Sequence, residues 1–173
     1  MKEITLSHEK IYSGNLILVN SKHGFLKRTP DVLTAVGRQN GTYSGCGEVL
    51  MERQAAVMLD NLISEINGWD YIVPVSGCRS YEEQKQIWDE TVKNDGADFA
   101  KKYVALPGHS EHQTGLAIDL ALKQEKIDFI CPDFPYSGIC MKFRERAADY
   151  GFIERYPAGK ETITHIPKLP ISL

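Results

Sequence analysis

The sequence reads as one globular domain that mixes strands and helices, in an order compatible with an α+β fold. Three stretches carry that reading. From Val49 to Ile66 apolar residues recur at helical spacing. Ser80, with Glu83 three residues on, has the signature of a helix capping box. Residues 116–122 alternate, with Leu116, Ile118, Leu120 and Leu122 on one face and Ala117, Asp119 and Ala121 on the other. A chain of 173 residues with 42% hydrophobic content buries a sizeable core and leaves no room for a second domain, so residues 1–173 are expected to form a single unit.

Taken in order, residues 14–20 form a short apolar strand closed by a polar turn, and residues 37–47 are loop-like, rich in Gly, Asn and Ser. In the helix that follows, Met51, Ala55, Met58, Leu59, Leu62, Ile63 and Ile66 make the apolar stripe, with Gly68 placed to stop it. Its methionines read as core filler. Residues 71–75 read as a strand, in which Pro74 marks an edge or irregular position. Ser80 then caps a helix carrying Gln84, Ile87 and Trp88, which leaves Arg79 at a junction between strand and helix. Residues 90–106 continue as helix and loop, with a turn at Asn94-Asp95-Gly96. Pro132, Pro135 and Gly138 make residues 127–140 an ordered loop over the core, and residues 144–150 a short helix that Gly151 ends. Phe152-Ile153 leads into a final segment expected to be a strand.

A net charge of -3 and a pI of about 6.0 offer no electrostatic case for nucleic acid or an anionic membrane surface, and favour small or neutral partners. Lys2, Glu3, His8, Glu9 and Lys10 precede any apolar run of signal-peptide length, and nothing downstream reaches membrane-spanning length. The expectation is a cytoplasmic protein without a membrane anchor. Cys46, Cys78, Cys131 and Cys140 are scattered without a Cys-x-x-Cys pair, which fits reduced thiols and argues against a cysteine zinc knuckle. A bridge between Cys131 and Cys140 is the alternative.

The chemistry concentrates near Asp119. An acid on a strand face of small residues is costly unless something pairs with it, and a metal ion is one of the few partners that offsets the desolvation. His112, in the loop that feeds the strand, is placed to be a second ligand. The plainer alternative is a surface His and an Asp satisfied by backbone donors. Arg79, at its junction, can hold a carboxylate or a developing oxyanion by a forked pair of hydrogen bonds. It can equally pair with Glu82 or Glu83.

The string Ser110-Glu111-His112-Gln113-Thr114-Gly115-Leu116-Ala117-Ile118-Asp119, following Ser76-Gly77-Cys78-Arg79-Ser80 and Gln84, closely resembles the zinc D-alanyl-D-alanine peptidases of the VanX, VanY and VanXY vancomycin-resistance type. The resemblance runs from about Asn15 to Thr164, and the run from Tyr103 to Asp119 is its most specific part. It implies an α+β fold with a small antiparallel sheet and helices packed against it. It also implies a zinc ion held by His, Asp and a second His, a Glu just before that second His that takes a proton from the zinc-bound water, and an Arg that stabilises the tetrahedral oxyanion. Carried over by position, His112 and Asp119 are metal ligands, Arg79 is the catalytic oxyanion-stabilising Arg, and Gln84 and Ser110 contact the terminal D-alanine of the substrate. His109 stands where the family varies and is expected to line the entrance. The implied function is that of a D,D-dipeptidase or D,D-carboxypeptidase hydrolysing D-Ala-D-Ala, or removing terminal D-Ala from peptidoglycan precursors, linked to glycopeptide resistance.

One departure concerns the tail. After Tyr156-Pro157 and Glu161-Thr162-Ile163-Thr164 the family continues to Glu-Pro-Trp-His, whereas this chain reads from His165 to Leu173. Laid together on Pro170, Leu169 takes the place of the Glu and Ser172 that of the ligating His. A catalytic zinc wants three protein ligands and an open position. His165, roughly seven residues before the family's position, is the candidate for the third ligand, and Glu161 or Glu154 for the base. The other expectation is a relative with a truncated or frame-shifted tail that keeps the fold and part of the D-alanyl pocket without turnover.

Overall fold

Strand and helix alternate in a computed structural model that describes residues 17–25, 30, 32–37, 48–127 and 132–156. In chain order the elements are β1 (Leu33–Ala35), β2 (Leu50–Glu52), α1 (Arg53–Glu65), β3 (Ile72–Ser76), α2 (Tyr81–Asp95), α3 (Ala97–Tyr103), β4 (Asp119–Leu122) and α4 (Gly138–Ala147), with short 3-10 turns at Glu111–Thr114 and Ala148–Tyr150. Two antiparallel two-stranded sheets result, β1 with β2 and β3 with β4. The α+β class stands, with two small sheets instead of one.

The apolar stripe of α1 does what its spacing implies. Ala56, Leu59, Leu62 and Ile63 are buried on it, against Ile72, Ile118, Leu120, Cys140 and Phe143 in one core. Burying each Leu or Ile contributes about 1.5–3 kcal/mol, so this face alone anchors the helix. The helix begins at Arg53, not at Val49, because residues 50–52 pair with β1 in the register Leu33↔Glu52. Met51, fully buried, therefore packs from a strand. Periodicity could not separate the two, and the cap decides: the Glu52 carboxylate accepts from the Gln54 and Ala55 amides at 2.8 and 3.1 Å. At the other end Asn67, with φ 54°, makes the left-handed turn, and the Gly68 amide closes it onto the Ile63 carbonyl at 2.8 Å.

Other boundaries moved as well. Residues 17–20 are not a strand; Asn20 instead opens a turn whose Oδ1 accepts from the Lys22 and His23 amides. β1 carried no signal that marked it. α4 begins at Gly138, six residues before the expected Arg144, because Cys140, Phe143 and Ala147 share a buried helical face that the prolines upstream obscured. Arg144 on α4 then holds the preceding loop, donating to the Phe134 and Pro135 carbonyls at 2.8 and 2.7 Å. Residues 152–156 form no strand, and the rest of the final segment lies outside the described residues, as do Cys46 and Cys131. Cys78 and Cys140 are free thiols. Among the described residues no helix is long and apolar enough to cross a membrane.

Alternation in β4 also reads differently in three dimensions. Ile118 and Leu120 are fully buried, but so nearly are Ala117 and Ala121, because both faces of this short sheet are covered. Asp119 is the first residue of β4 and not a mid-strand position; it pairs with Ser76 across a bulge between Pro74 and Ser76.

Burial pushes the Cys140 thiol up to about 11 from its ordinary 9.0, against the opposing charge of Arg144. The folded-state value lies above the unfolded one, so the contribution to stability is complete below pH 9 and is lost as pH rises towards 11. Urea unfolding of the native chain should therefore weaken more steeply across that window than unfolding of Cys140→Ala. Parallel slopes would refute the assignment.

Candidate active site

Three loops meet where β3 ends, and glycine makes the meeting possible. A Cβ on Gly77 would stand 2.2 Å from the Leu50 carbonyl oxygen and 2.9 Å from Val49 Cγ1, so no other residue fits without moving backbone. The next amide, of Cys78, donates to that same Leu50 carbonyl at 2.6 Å. β2 thus fixes the chain just before Arg79. Across the site, Gly115 takes φ 72° at the end of the 3-10 turn, its carbonyl accepts from the Glu52 amide at 2.8 Å, and its own Cβ would meet Pro30 Cγ at 2.9 Å. The turn between is closed by Thr114 Oγ1 donating to the Glu111 carbonyl at 2.6 Å.

His112 is 5% exposed, which removes the surface-histidine alternative. Its Nδ1 lies 2.7 Å from the Gly77 carbonyl, a partner that can only accept, so Nδ1 carries the proton. The Arg79 amide returns the contact by donating to the His112 carbonyl at 3.2 Å. With Nδ1 protonated, neutral His112 presents a lone pair at Nε2, and that atom faces Asp119 Oδ2 at 3.2 Å. Two electron-rich atoms at that distance call for a shared cation, either a proton or a metal ion. The dimensions fit zinc: two ligands each about 2.0–2.1 Å from a tetrahedral ion stand about 3.3 Å apart. A histidine whose other ring nitrogen is tied to a backbone carbonyl is the arrangement that metal-bound imidazoles adopt. Among the described residues no third His, Cys, Asp or Glu joins the pair.

Arg79 stands just before Ser80, whose hydroxyl accepts from the Glu83 amide while the Glu83 carboxylate accepts from the Ser80 amide, the capping box expected from the sequence. Glu83 is occupied by that box, and Arg79 forms no ion pair with Glu82 or Glu83 among the described residues. Burial lowers the guanidinium's pKa from its ordinary value, opposed first by the charge of Asp119 and then by that of Glu111. Its Nε is buried without a hydrogen-bond partner among the described residues. Gln84, in the first turns of α2, is 1% exposed; its Nε2 donates to the Ala105 carbonyl at 2.8 Å, and its Oε1 likewise finds no donor. Ser110 is 2% exposed. Gln113 Oε1 accepts from the Gly108 amide at 2.7 Å, and His109 Nδ1 donates to the Asn20 carbonyl at 2.8 Å, which ties its ring to the 17–25 segment.

His112 and Asp119 are therefore brought together, and Arg79 lies within their field. Glu154 is withdrawn from the candidates for a base, because Arg144 at 3.3 Å and the Tyr136 hydroxyl at 2.8 Å hold its carboxylate. His165, Glu161, Leu169 and Ser172 lie outside the described residues. Sequence reasoning passed over Gly77 and Glu111. Neither carries a compositional signal, although both sit inside the strings that carry the resemblance.

A family model described as VanY, D-alanyl-D-alanine carboxypeptidase, matches residues 48–170. The chain is 40% identical over 124 residues to the bifunctional D-Ala-D-Ala dipeptidase and D-Ala-D-Ala carboxypeptidase VanXYC of Enterococcus gallinarum, covering 71% of this chain and 65% of that protein. A solved structure of the vancomycin-resistance D,D-dipeptidase VanXYg, in complex with a D-Ala-D-Ala phosphinate analog, has a TM-score of 0.84 and 48% identity, over 96% of this chain and 64% of that one. The chain thus spans slightly less than two thirds of each of these relatives. A VanY D,D-pentapeptidase from the VanB-type resistance cassette, in complex with Zn(II), is similar at a TM-score of 0.63 and 26% identity, over 90% of this chain and 84% of that one.

Gly77→Ala should lower stability by about 1–3 kcal/mol, because the backbone of β2 must shift to admit the methyl group. Urea unfolding of the purified variant checks this. A midpoint equal to that of the native chain would show the contact to be slack.

Proposed function

Because the chain belongs to the D-alanyl-D-alanine carboxypeptidase family VanY, we propose that it is a zinc-dependent D,D-peptidase that hydrolyses D-Ala-D-Ala or removes terminal D-alanine from peptidoglycan precursors, linked to glycopeptide resistance. The observation that carries the reading is the 3.2 Å approach of His112 Nε2 to Asp119 Oδ2, with Nδ1 already committed to Gly77.

His112 and Asp119 would hold the metal, with His165 as the candidate third ligand. When bound there, zinc supplies Lewis acidity, polarising a carbonyl and lowering the pKa of a coordinated water. The remaining work falls to this chain's own side chains. Arg79 offers the unpartnered Nε of a permanently charged group to a substrate carboxylate or to the negative charge that grows on a carbonyl oxygen under attack. Burial strengthens that contact, since little water competes for the donor. Gln84 Oε1, an acceptor without a donor, is suited to an N–H of the D-alanyl unit, and the Ser110 hydroxyl to its carboxylate or amide. A polar atom left unpaired in the interior costs stability, so both orphans are better explained by a ligand than by the fold. A cytoplasmic location belongs to the same proposal, supported by the free thiols of Cys78 and Cys140.

Zinc content of the purified chain, measured beside D-alanine release from D-Ala-D-Ala, tests the reading. About one zinc per chain with measurable release is expected; neither zinc nor release would overturn it. Asp119→Ala should lose the zinc and keep the helical circular dichroism of α1. Arg79→Ala should lower kcat by about 10²–10³-fold, as loss of an oxyanion donor does, with zinc content unchanged. Equal loss of metal and turnover would make Arg79 a structural residue.

A further inference from the structure

Glu111 precedes His112 in the 3-10 turn, and both ends of it are held. One carboxylate oxygen, Oε1, accepts from Arg155 Nε at 3.1 Å and from the Tyr156 hydroxyl at 2.8 Å. Its backbone carbonyl accepts from Thr114 Oγ1 at 2.6 Å. Tyr156 is 7% exposed, and burial, followed by the charge of Glu111, raises its phenol above the ordinary value, so the hydroxyl remains a donor. Arg155 reaches on to the Val19 carbonyl at 3.5 Å, and its guanidinium lies 5.4 Å from the centre of the Tyr156 ring.

A neutral acceptor would satisfy a buried phenol at lower desolvation cost than a carboxylate. The charge therefore has a second use, and the neighbours indicate it. Arg155 pairs with it, and its charge acts on the Arg79 guanidinium as well. Glu111 so ties the turn that presents His112 to the segment at Arg155–Tyr156, from which the sequence continues towards His165. We propose that Glu111 is a positioning residue for metal binding: by gripping Arg155 and Tyr156 through one oxygen it holds the His112 turn in the ligating geometry and sets zinc affinity. The proposal rests on the reading of His112 and Asp119 as zinc ligands.

Chelator competition with zinc alone, on the full chain, tests it in the native protein, Glu111→Gln and Tyr156→Phe, with Asp119→Ala as the reference for a lost ligand. Glu111→Gln keeps an acceptor for Tyr156 and removes the charge, and should raise the zinc Kd about 10- to 100-fold, the usual effect of losing a group that orients a ligand. The metal-free thermal midpoint should move by no more than about 4 °C. Tyr156→Phe, which keeps the Glu111–Arg155 pair, should raise Kd by about three- to tenfold. Should Glu111→Gln not fold, Tyr156→Phe decides alone. Unchanged Kd in the folded variants, with zinc held by the native chain and lost from Asp119→Ala, overturns this inference and leaves the zinc reading standing. A native chain that holds no zinc overturns both.

Discussion

Two hydrogen bonds between the same pair of loops govern the site. His112 Nδ1 donates to the Gly77 carbonyl across 35 residues of sequence, and the Arg79 amide donates to the His112 carbonyl. The first fixes which nitrogen of the imidazole carries the proton and aims the other at Asp119. The second holds the backbone of Arg79 to the backbone of the histidine, so the guanidinium and the imidazole cannot drift independently. A catalytic site must be held to within a fraction of an ångström, and backbone contacts meet that demand better than long side chains do.

Everything around the clamp serves to keep it there. Gly77 can approach Leu50 closely because it has no side chain, and β2 then bonds both the Cys78 amide and the Gly115 carbonyl. β2 is itself continuous with α1, whose buried face packs on Ile118 and Leu120 on either side of Asp119. One core thus supports the β2 contacts and β4 together. The bulge after Pro74 brings Ser76 opposite Asp119 before the chain leaves for Arg79.

Among the described residues, charged groups away from the site close on one another, while two polar atoms at the site are left open. Glu154, Arg144 and Tyr136 close on one another, as do Glu83 and Ser80. Arg79 Nε and Gln84 Oε1 are buried and unpaired among the described residues. Such exceptions mark where a fold bears a cost for binding, and here they belong to the same short stretch that begins α2.

Much of this was legible in the order of residues. The capping box at Ser80 and Glu83 and the helical stripe of Leu59, Leu62 and Ile63 are local patterns, and both appeared where their spacing placed them. Helix ends were less legible, because Met51 and Cys140 satisfy a helical period whether they lie in a helix or beside one; pairing with β1 made the first a strand, and packing under Phe134 and Phe143 made the second part of α4. The approach of His112 to Asp119 was expected from their spacing, but the tautomer of His112 and the grip of Glu111 on Tyr156 had no sequence signature. The sequence by itself determined which residues were available for metal and oxyanion chemistry, since that depends only on their side-chain groups and local spacing. Tertiary structure alone decided which carbonyl faces the imidazole and which guanidinium and phenol hold Glu111, because those contacts join segments tens of residues apart and exist only once the core has closed.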